Sequence, residues 1–264
     1  MFIGILYFFI ILIVISTGAI AGISGGVILR PIFDAIDYHE PLEIAFYMGV
    51  AVLTMAVSST VKQIAMGTKI NYKKVSALAI GAFVGGVIGQ FIMDGILYYV
   101  GRDELQIIQA ILSIASLIFV LAFTREDVKK YDFKGSFWYI LIGLGLGTFA
   151  TLLAIGGGPI NVIVFVILFG ITLKEAAVYS ITTIFFAQAA RIGAIGIEHG
   201  FTRFDLSILF FIIPAAIIGG VVGGRLNILL SEATVMKVFK FVVTGTILLN
   251  IYNAIMMVLP LISN

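Results

Sequence analysis

The stretch Gly22-Ile23-Ser24-Gly25-Gly26 ("GISGG") interrupts an apolar run that extends from Met1 to Leu29. Glycine in a helix interior costs about 1 kcal/mol relative to alanine, so this cluster predicts a break rather than a continuous helix. A second interruption, Gly156-Gly157-Gly158-Pro159 ("GGGP"), lies in the second half of the chain. The apolar segments that follow the breaks, 27–36 and 159–170, are too short to cross a bilayer alone, which takes roughly 20 residues.

The whole composition points to a membrane. Of 264 residues 61% are hydrophobic and 11% charged, with mean hydropathy +1.18; soluble domains carry about 25% charged residues. Apolar stretches of spanning length fall at about 2–22, 44–66, 75–100, 105–123, 137–155, 176–197, 206–230 and 235–258. The fold class expected is therefore an all-α polytopic protein whose main partner is the lipid bilayer. A net charge of +2 without a block of like charges speaks against nucleic acid. With no cysteine, disulfides, iron–sulfur clusters and thiolate metal sites are excluded. No G-x-x-x-x-G-K-[ST] loop occurs, so the chain has no ATP motor of its own and no cofactor is expected. The first run resembles a signal peptide at Ala19-Ile20-Ala21, but it lacks a basic lead and its apolar part is too long. It is read as structure.

The chain is duplicated. A shift of 132 residues aligns Ser24-Gly25-Gly26 with Gly156-Gly157-Gly158, Glu43 with Glu175, Ala45 with Ala177 and Tyr47 with Tyr179. A shift of 134 aligns Gly85-Gly86-Val87-Ile88-Gly89 with Gly219-Gly220-Val221-Val222-Gly223. The expected domains are a first transmembrane repeat, 1–123, a polar linker, 124–136, and a second repeat, 137–264. If each glycine break turns the chain back as a hairpin, the number of crossings per repeat is odd and the second repeat is inverted. That arrangement puts Lys69, Lys73, Lys74, Arg125, Lys129, Lys130, Lys134, Lys174, Lys237 and Lys240 on the cytoplasmic side and only Arg102 and Arg203 outside. A parallel arrangement divides them less unevenly, so the positive-inside rule favours hairpins and inversion.

A glycine-rich G-x-x-G-G or G-G-G-P break, a short apolar helix, then Pro41-Leu42-Glu43 or Leu173-Lys174-Glu175-Ala176-Ala177 resembles the sulfite exporter TauE/SafE family over nearly the whole chain. The resemblance implies a secondary transporter of small sulfur-containing or carboxylated anions such as sulfite, sulfonates, sulfoacetate or thiosulfate. Ser24 in the first break, and Val27 where the second has Pro159, make the two halves only approximately alike.

In hydrocarbon every backbone polar group needs a partner, so a broken helix belongs in protein or beside a polar cavity. Helices starting at Val27 and Pro159 would present unpaired N–H groups and positive dipole ends, and Pro159 suits a first helical position. Together the breaks Ser24, Gly25, Gly26 and Gly156, Gly157, Gly158, Pro159 are expected to form an anion cradle at the centre of the bundle. Packing alone is the plainer reading of such glycines, and it is the one expected for Gly85, Gly89, Gly219 and Gly223. Arg191 falls inside an apolar segment with Gln188, where a guanidinium can hold an oxyanion by two parallel bonds; the alternative is that it snorkels to the interface near Glu198 and His199. Its counterpart at the 132 shift is Ser59, beside Ser58, and Asn161 follows Pro159 as a further donor.

Other groups read as structural. Glu43 and Glu175 are expected to cap helix starts, Arg30 either to line the route or to pair with Asp34, and Arg225 to anchor at the interface. Tyr98, Tyr99, Phe137, Trp138 and Tyr139 read as an aromatic belt. A proton or sodium ion could drive such a carrier, but Asp34, Asp37, Asp94 and His39 all fall too near segment ends to be nominated. Two rival functions are an anion channel and an intramembrane serine protease using Gly22-Ile23-Ser24-Gly25. The protease needs a base beside the serine, and both histidines, His39 and His199, fall in connections.

Overall fold

The computed structural model describes residues 2–36, 38–68, 71–124, 128–153 and 157–262. Every regular element among them is helical: α1 (Phe2–Ala21), α2 (Gly26–Ile36), α3 (Pro41–Ala65), α4 (Tyr72–Val100), α5 (Arg102–Ala122), α6 (Ser136–Leu152), α7 (Pro159–Phe169), α8 (Leu173–His199), a 3₁₀ turn (Leu206–Ile208), α9 (Leu209–Leu229) and α10 (Glu232–Ile262). Six stretches within these helices are long and apolar enough to cross a membrane. The five helices before the linker and the five after it share one order, in which the second of each set is an 11-residue helix after the glycine break.

Local chemistry sets the ends. α3 begins with Pro41 in its first turn and a reciprocal capping box between Glu40 and Glu43, which bears out Glu43 as a capping group. α8 begins where the Thr172 hydroxyl accepts the Glu175 N–H, and Glu175 sits in that first turn. Arg30 pairs with Asp34 one turn on, at 2.9 Å. Arg225 is exposed.

Both short helices turn back. Tyr7, early in α1, stacks on Phe33, late in α2, with ring centroids 4.3 Å apart; Tyr139, early in α6, stacks on Phe169 at the end of α7, at 4.0 Å. The linker backbone bonds to the same end of α7, Tyr131 N–H to the Ile167 carbonyl and Phe133 N–H to that of Leu168. Each break is thus the bend of a hairpin. Tyr139 is accordingly buried, at 4% exposure, and does not belong to the aromatic belt; the returning helix supplies a ring to cover it. Tyr98, Tyr99 and Phe137 stay well exposed.

The two halves interleave. α1 packs on α9, and α6 packs on α4, through small residues that bring backbones close. An added Cβ on Gly85 would lie 2.1 Å from the Leu144 carbonyl oxygen, on Gly89 2.7 Å from that of Thr148, and on Gly223 2.5 Å from that of Ser16. Gly219 would meet Ile15 at 2.9 Å. Helices in lipid gain no hydrophobic drive from meeting one another, so such close van der Waals approach is what holds them. These four glycines are packing glycines. α3 and α8 cross at the middle, where Gly49 faces Ile192 and Gln188, and they run antiparallel: Phe46 near the start of α3 stacks on Phe204, beyond the end of α8, at 4.2 Å, whereas Thr68, beyond the end of α3, shares a cavity with Thr172 and Glu175 at the start of α8.

Candidate functional site

The first break is built as a helix stop in which the carbonyls of Gly18, Ala19, Ile20 and Gly22 have donors. Gly22 adopts φ +70°, the Ile23 N–H reaches back to the Gly18 carbonyl at 2.9 Å and the Gly22 N–H to that of Ala19 at 3.4 Å. This is a Schellman ending, which needs a residue that tolerates positive φ. The next carbonyls are taken by side chains from the other half of the chain: Asn227 Nδ2 donates to the Ile20 carbonyl at 2.7 Å, and the Ser180 hydroxyl donates to that of Gly22 at 2.8 Å. Gly22 also has no room for a side chain, because a Cβ would lie 2.3 Å from Ala177.

The donors fare differently. α2 begins at Gly26, one residue earlier than Val27, because Val27 N–H bonds the Ser24 carbonyl and Leu29 N–H that of Gly25. Those bonds leave the N–H groups of Gly25 and Gly26, for which no acceptor is found among the described residues. At the second break Gly157 and Gly158 take φ +70° and +134°, Pro159 opens α7 without an N–H, and no side chain caps the helix. Val162 N–H takes the Gly158 carbonyl, and the N–H groups of Ile160 and Asn161 face forward without an acceptor among the described residues. Gly156 lies outside the described residues.

The two breaks meet. The Ser24 hydroxyl donates to the Gly157 carbonyl at 2.8 Å, and a Cβ on Gly158 would stand 3.2 Å from both Ser24 N and Ile23 Cγ2. Asn161 is 1% exposed, and neither its Nδ2 nor its Oδ1 has a hydrogen-bond partner among the described residues; its amide lies so close to Gly157 that a Cβ there would sit 2.9 Å from Nδ2. Burying an amide without partners costs roughly 1–3 kcal/mol, so Asn161 is a group prepared for a ligand or set at a cost in stability. At the junction the carbonyls of Ile20, Gly22 and Gly157 take side-chain donors, while the N–H groups of Gly26, Ile160 and Asn161 have no acceptor among the described residues. Such a surface suits a hydrogen-bond acceptor carrying negative charge.

The remaining sequence-derived candidates divide. Gly25 does not face the junction: a Cβ there would meet Ile15 Cδ1 at 2.7 Å, so its small size serves the hairpin's own packing. Arg191 is 6% exposed, which removes the snorkelling reading, and the Arg30 guanidinium is near enough to act on it electrostatically. Gln188 is 3% exposed with Oε1 unpartnered, and it faces Gly49 on α3. Ser58 and Ser59 turn instead toward α9. Ser58 donates to the Met55 and Ala216 carbonyls, and Ser59, fully buried, accepts from Gln63 Nε2 at 3.3 Å beside Gly224.

Asn227 and Ser180 are the residues the sequence reading passed over as site builders. The available signal was an asparagine within the apolar segment 206–230, a position that demands a polar partner. A cavity of about 280 Å³ is lined by Asn227, Tyr179, Glu175, Lys174, Thr172 and Thr68. Lys174 Nζ donates to the Ile228 carbonyl at 2.8 Å.

These features define a class: a multi-pass helical membrane protein whose paired, broken hairpins meet inside the bundle, as in membrane carriers rather than enzymes. The profile of the sulfite exporter TauE/SafE family matches residues 7–250 of the 264, and the chain belongs to that family of membrane transporters of sulfur-containing anions. No curated protein and no solved structure matches it. Membership also disposes of the protease reading, and Ser24 spends its proton on a backbone carbonyl rather than on an imidazole.

Proposed function

We propose that the chain is a secondary transporter that carries small sulfur oxyanions, of the sulfite, sulfonate, sulfoacetate or thiosulfate type, across the cell membrane, binding them where the two hairpins meet. The observation that carries this reading is the buried amide of Asn161, unpartnered among the described residues and set against Gly157 at the start of α7, whose Ile160 N–H, like the Gly26 N–H that opens α2, has no acceptor among the described residues. A tetrahedral or pyramidal oxyanion offers several acceptors at once and is charged, so it takes up those donors together; a neutral ligand gains much less from two dipole ends. Gly158 and Pro159 keep the approach free of side chains and N–H groups that would compete. Arg191 and Gln188 stand on α8 as further groups for the anion.

The organisation we assign is two inverted repeats, 1–123 and 137–264, with the linker 124–136 in the cytoplasm. The antiparallel course of α3 and α8 and the return of both hairpins support it, as does the lysine and arginine count. An inverted pair places one broken helix from each half at the same central site, the arrangement that alternating access needs.

The test is a thermal-shift and binding screen of the purified protein against sulfite, sulfate, thiosulfate, taurine, sulfoacetate and simple carboxylates, followed by counterflow in proteoliposomes. Saturable counterflow with a sulfur oxyanion is expected. Linear flux with single-channel currents would identify a pore, and a preference for simple carboxylates would reassign the substrate.

A further inference from the structure

On the face opposite the cavity lies a cluster around His39. Its side chain is 8% exposed, with Nδ1 3.3 Å from Glu43 Oε2. The ring lies against Tyr7, Tyr38 and Tyr47, with centroids 5.7, 4.9 and 5.2 Å away. Two polar atoms here, His39 Nε2 and the Tyr7 hydroxyl, are buried without a hydrogen-bond partner among the described residues. Tyr7 belongs to the first hairpin and stacks on Phe33, and the Tyr47 hydroxyl donates to the Asp205 carbonyl at 3.1 Å. One imidazole therefore touches the hairpin and α3, and through Tyr47 reaches the lead-in to α9. It is not the surface group its place in a connection suggests.

The opposite face carries the same three residue types 132 positions later, with a different cation. Tyr139, Tyr179 and Glu175 are the counterparts of Tyr7, Tyr47 and Glu43. There Lys74 Nζ lies 5.5 Å over the Tyr139 ring and within electrostatic reach of Tyr179 and Glu175. A tyrosine pair with a glutamate thus receives a positive charge on each face. A lysine holds that charge throughout the physiological range, whereas a histidine gains and loses it near neutrality.

We propose that His39 is a proton-binding site that couples anion transport to pH at this mouth. With a proton taken up from this side, the imidazolium pairs with Glu43 at the start of α3 while its ring stays against Tyr7 of the first hairpin, and the mouth is held shut; the proton is then released to the other side of the membrane, the pair dissolves and the mouth can open. Glu43 faces the ring from α3, with its Oε2 also accepting the Glu40 N–H. Asp205, before α9, is held ionised by hydrogen bonds from Ser207 and feels the charge of His39. Arg30 on α2 is paired with Asp34. This proposal rests on the reading of the chain as an anion carrier, and the test separates the two.

Proteoliposomes are loaded with sulfoacetate, whose charge is constant near neutrality, and read out by labelled sulfoacetate and a lumenal pH dye. Wild type is expected to show counterflow, and to move protons during net flux. His39→Gln should keep counterflow within about twofold yet lose proton-driven accumulation by at least about tenfold, because exchange needs no net proton movement. Glu43→Gln retains the imidazole but removes the carboxylate it pairs with, so the pH midpoint of accumulation should shift. The proposal is overturned if wild-type flux moves no proton, if H39Q accumulates normally, or if H39Q loses counterflow and accumulation in equal proportion. Should H39Q not fold, an unshifted midpoint in E43Q overturns it. Absence of sulfoacetate counterflow in wild type, with sulfite or thiosulfate counterflow equally absent, removes the transport reading itself.

Discussion

The hydroxyl of Ser24 donates a 2.8 Å hydrogen bond to the carbonyl of Gly157, 133 positions away. Through that bond the two glycine breaks become one junction, where hairpins from the two halves of the chain touch.

Ser24→Ala leaves the buried Gly157 carbonyl without its donor and should lower stability by about 1–3 kcal/mol. Ser24→Thr keeps a hydroxyl and should retain more of it. Thermal unfolding of both variants in detergent provides the measurement; equal midpoints for Ser24→Ala and wild type would show that the bond does not join the hairpins.

The glycines should sort by what their Cβ would meet. Gly158→Ala forces a residue into φ +134°, a strain of about 1–3 kcal/mol, and fills the space beside Ser24; folded protein should persist while transport falls steeply. Gly85→Ala drives a methyl into the Leu144 carbonyl and should reduce the yield of folded protein while sparing the substrate affinity of what remains. Gly25→Ala meets only the flexible end of Ile15, and its effect should be milder than either. Yield by fluorescence-detected gel filtration, set against transport per folded molecule, separates the three.

Arg191→Lys keeps the charge and loses the planar fork. If the guanidinium holds the anion by two parallel bonds, affinity should weaken roughly ten- to a hundredfold, about 1–3 kcal/mol, with the protein still inserted and folded. Unchanged affinity would make Arg191 a structural charge.

Orientation can be read chemically because the chain contains no cysteine. Single cysteines added at either terminus should react with a membrane-impermeant maleimide in intact cells, and Lys134→Cys in the exposed linker should not. Protected termini would sink the inverted arrangement.

Much of this architecture was legible in the chain. The breaks, the short helices after them, the capping role of Glu43 and the packing role of Gly85, Gly89, Gly219 and Gly223 all follow from local composition and spacing. What was hidden depends on the return of the hairpins. Distance from a segment end normally measures depth, which placed Tyr139 in an aromatic belt and His39 at the surface. A helix that doubles back covers both, as Phe169 does for Tyr139. The bonds from Asn227 to the Ile20 carbonyl and from Ser180 to that of Gly22 span 207 and 158 positions; no local pattern encodes which distant side chain will meet a freed carbonyl. Gly25 shows the converse, since a glycine within a helix break can still be there for packing.

Asn161 offers the most direct test of whether the joined breaks bind the anion. Its amide is buried with both polar atoms unpartnered, so replacing it by a similar-sized apolar residue removes a desolvation cost and leaves no bond unmade within the protein. Sulfite and sulfoacetate should be titrated calorimetrically into purified wild type and Asn161→Leu, with unfolding midpoints taken on the same ligand-free samples. The expected result is a variant at least as stable as wild type that binds the anion at least about tenfold more weakly, the loss of one charge-assisted hydrogen bond or more. Equal affinity in the two proteins would contradict the placing of the anion at the junction of the hairpins.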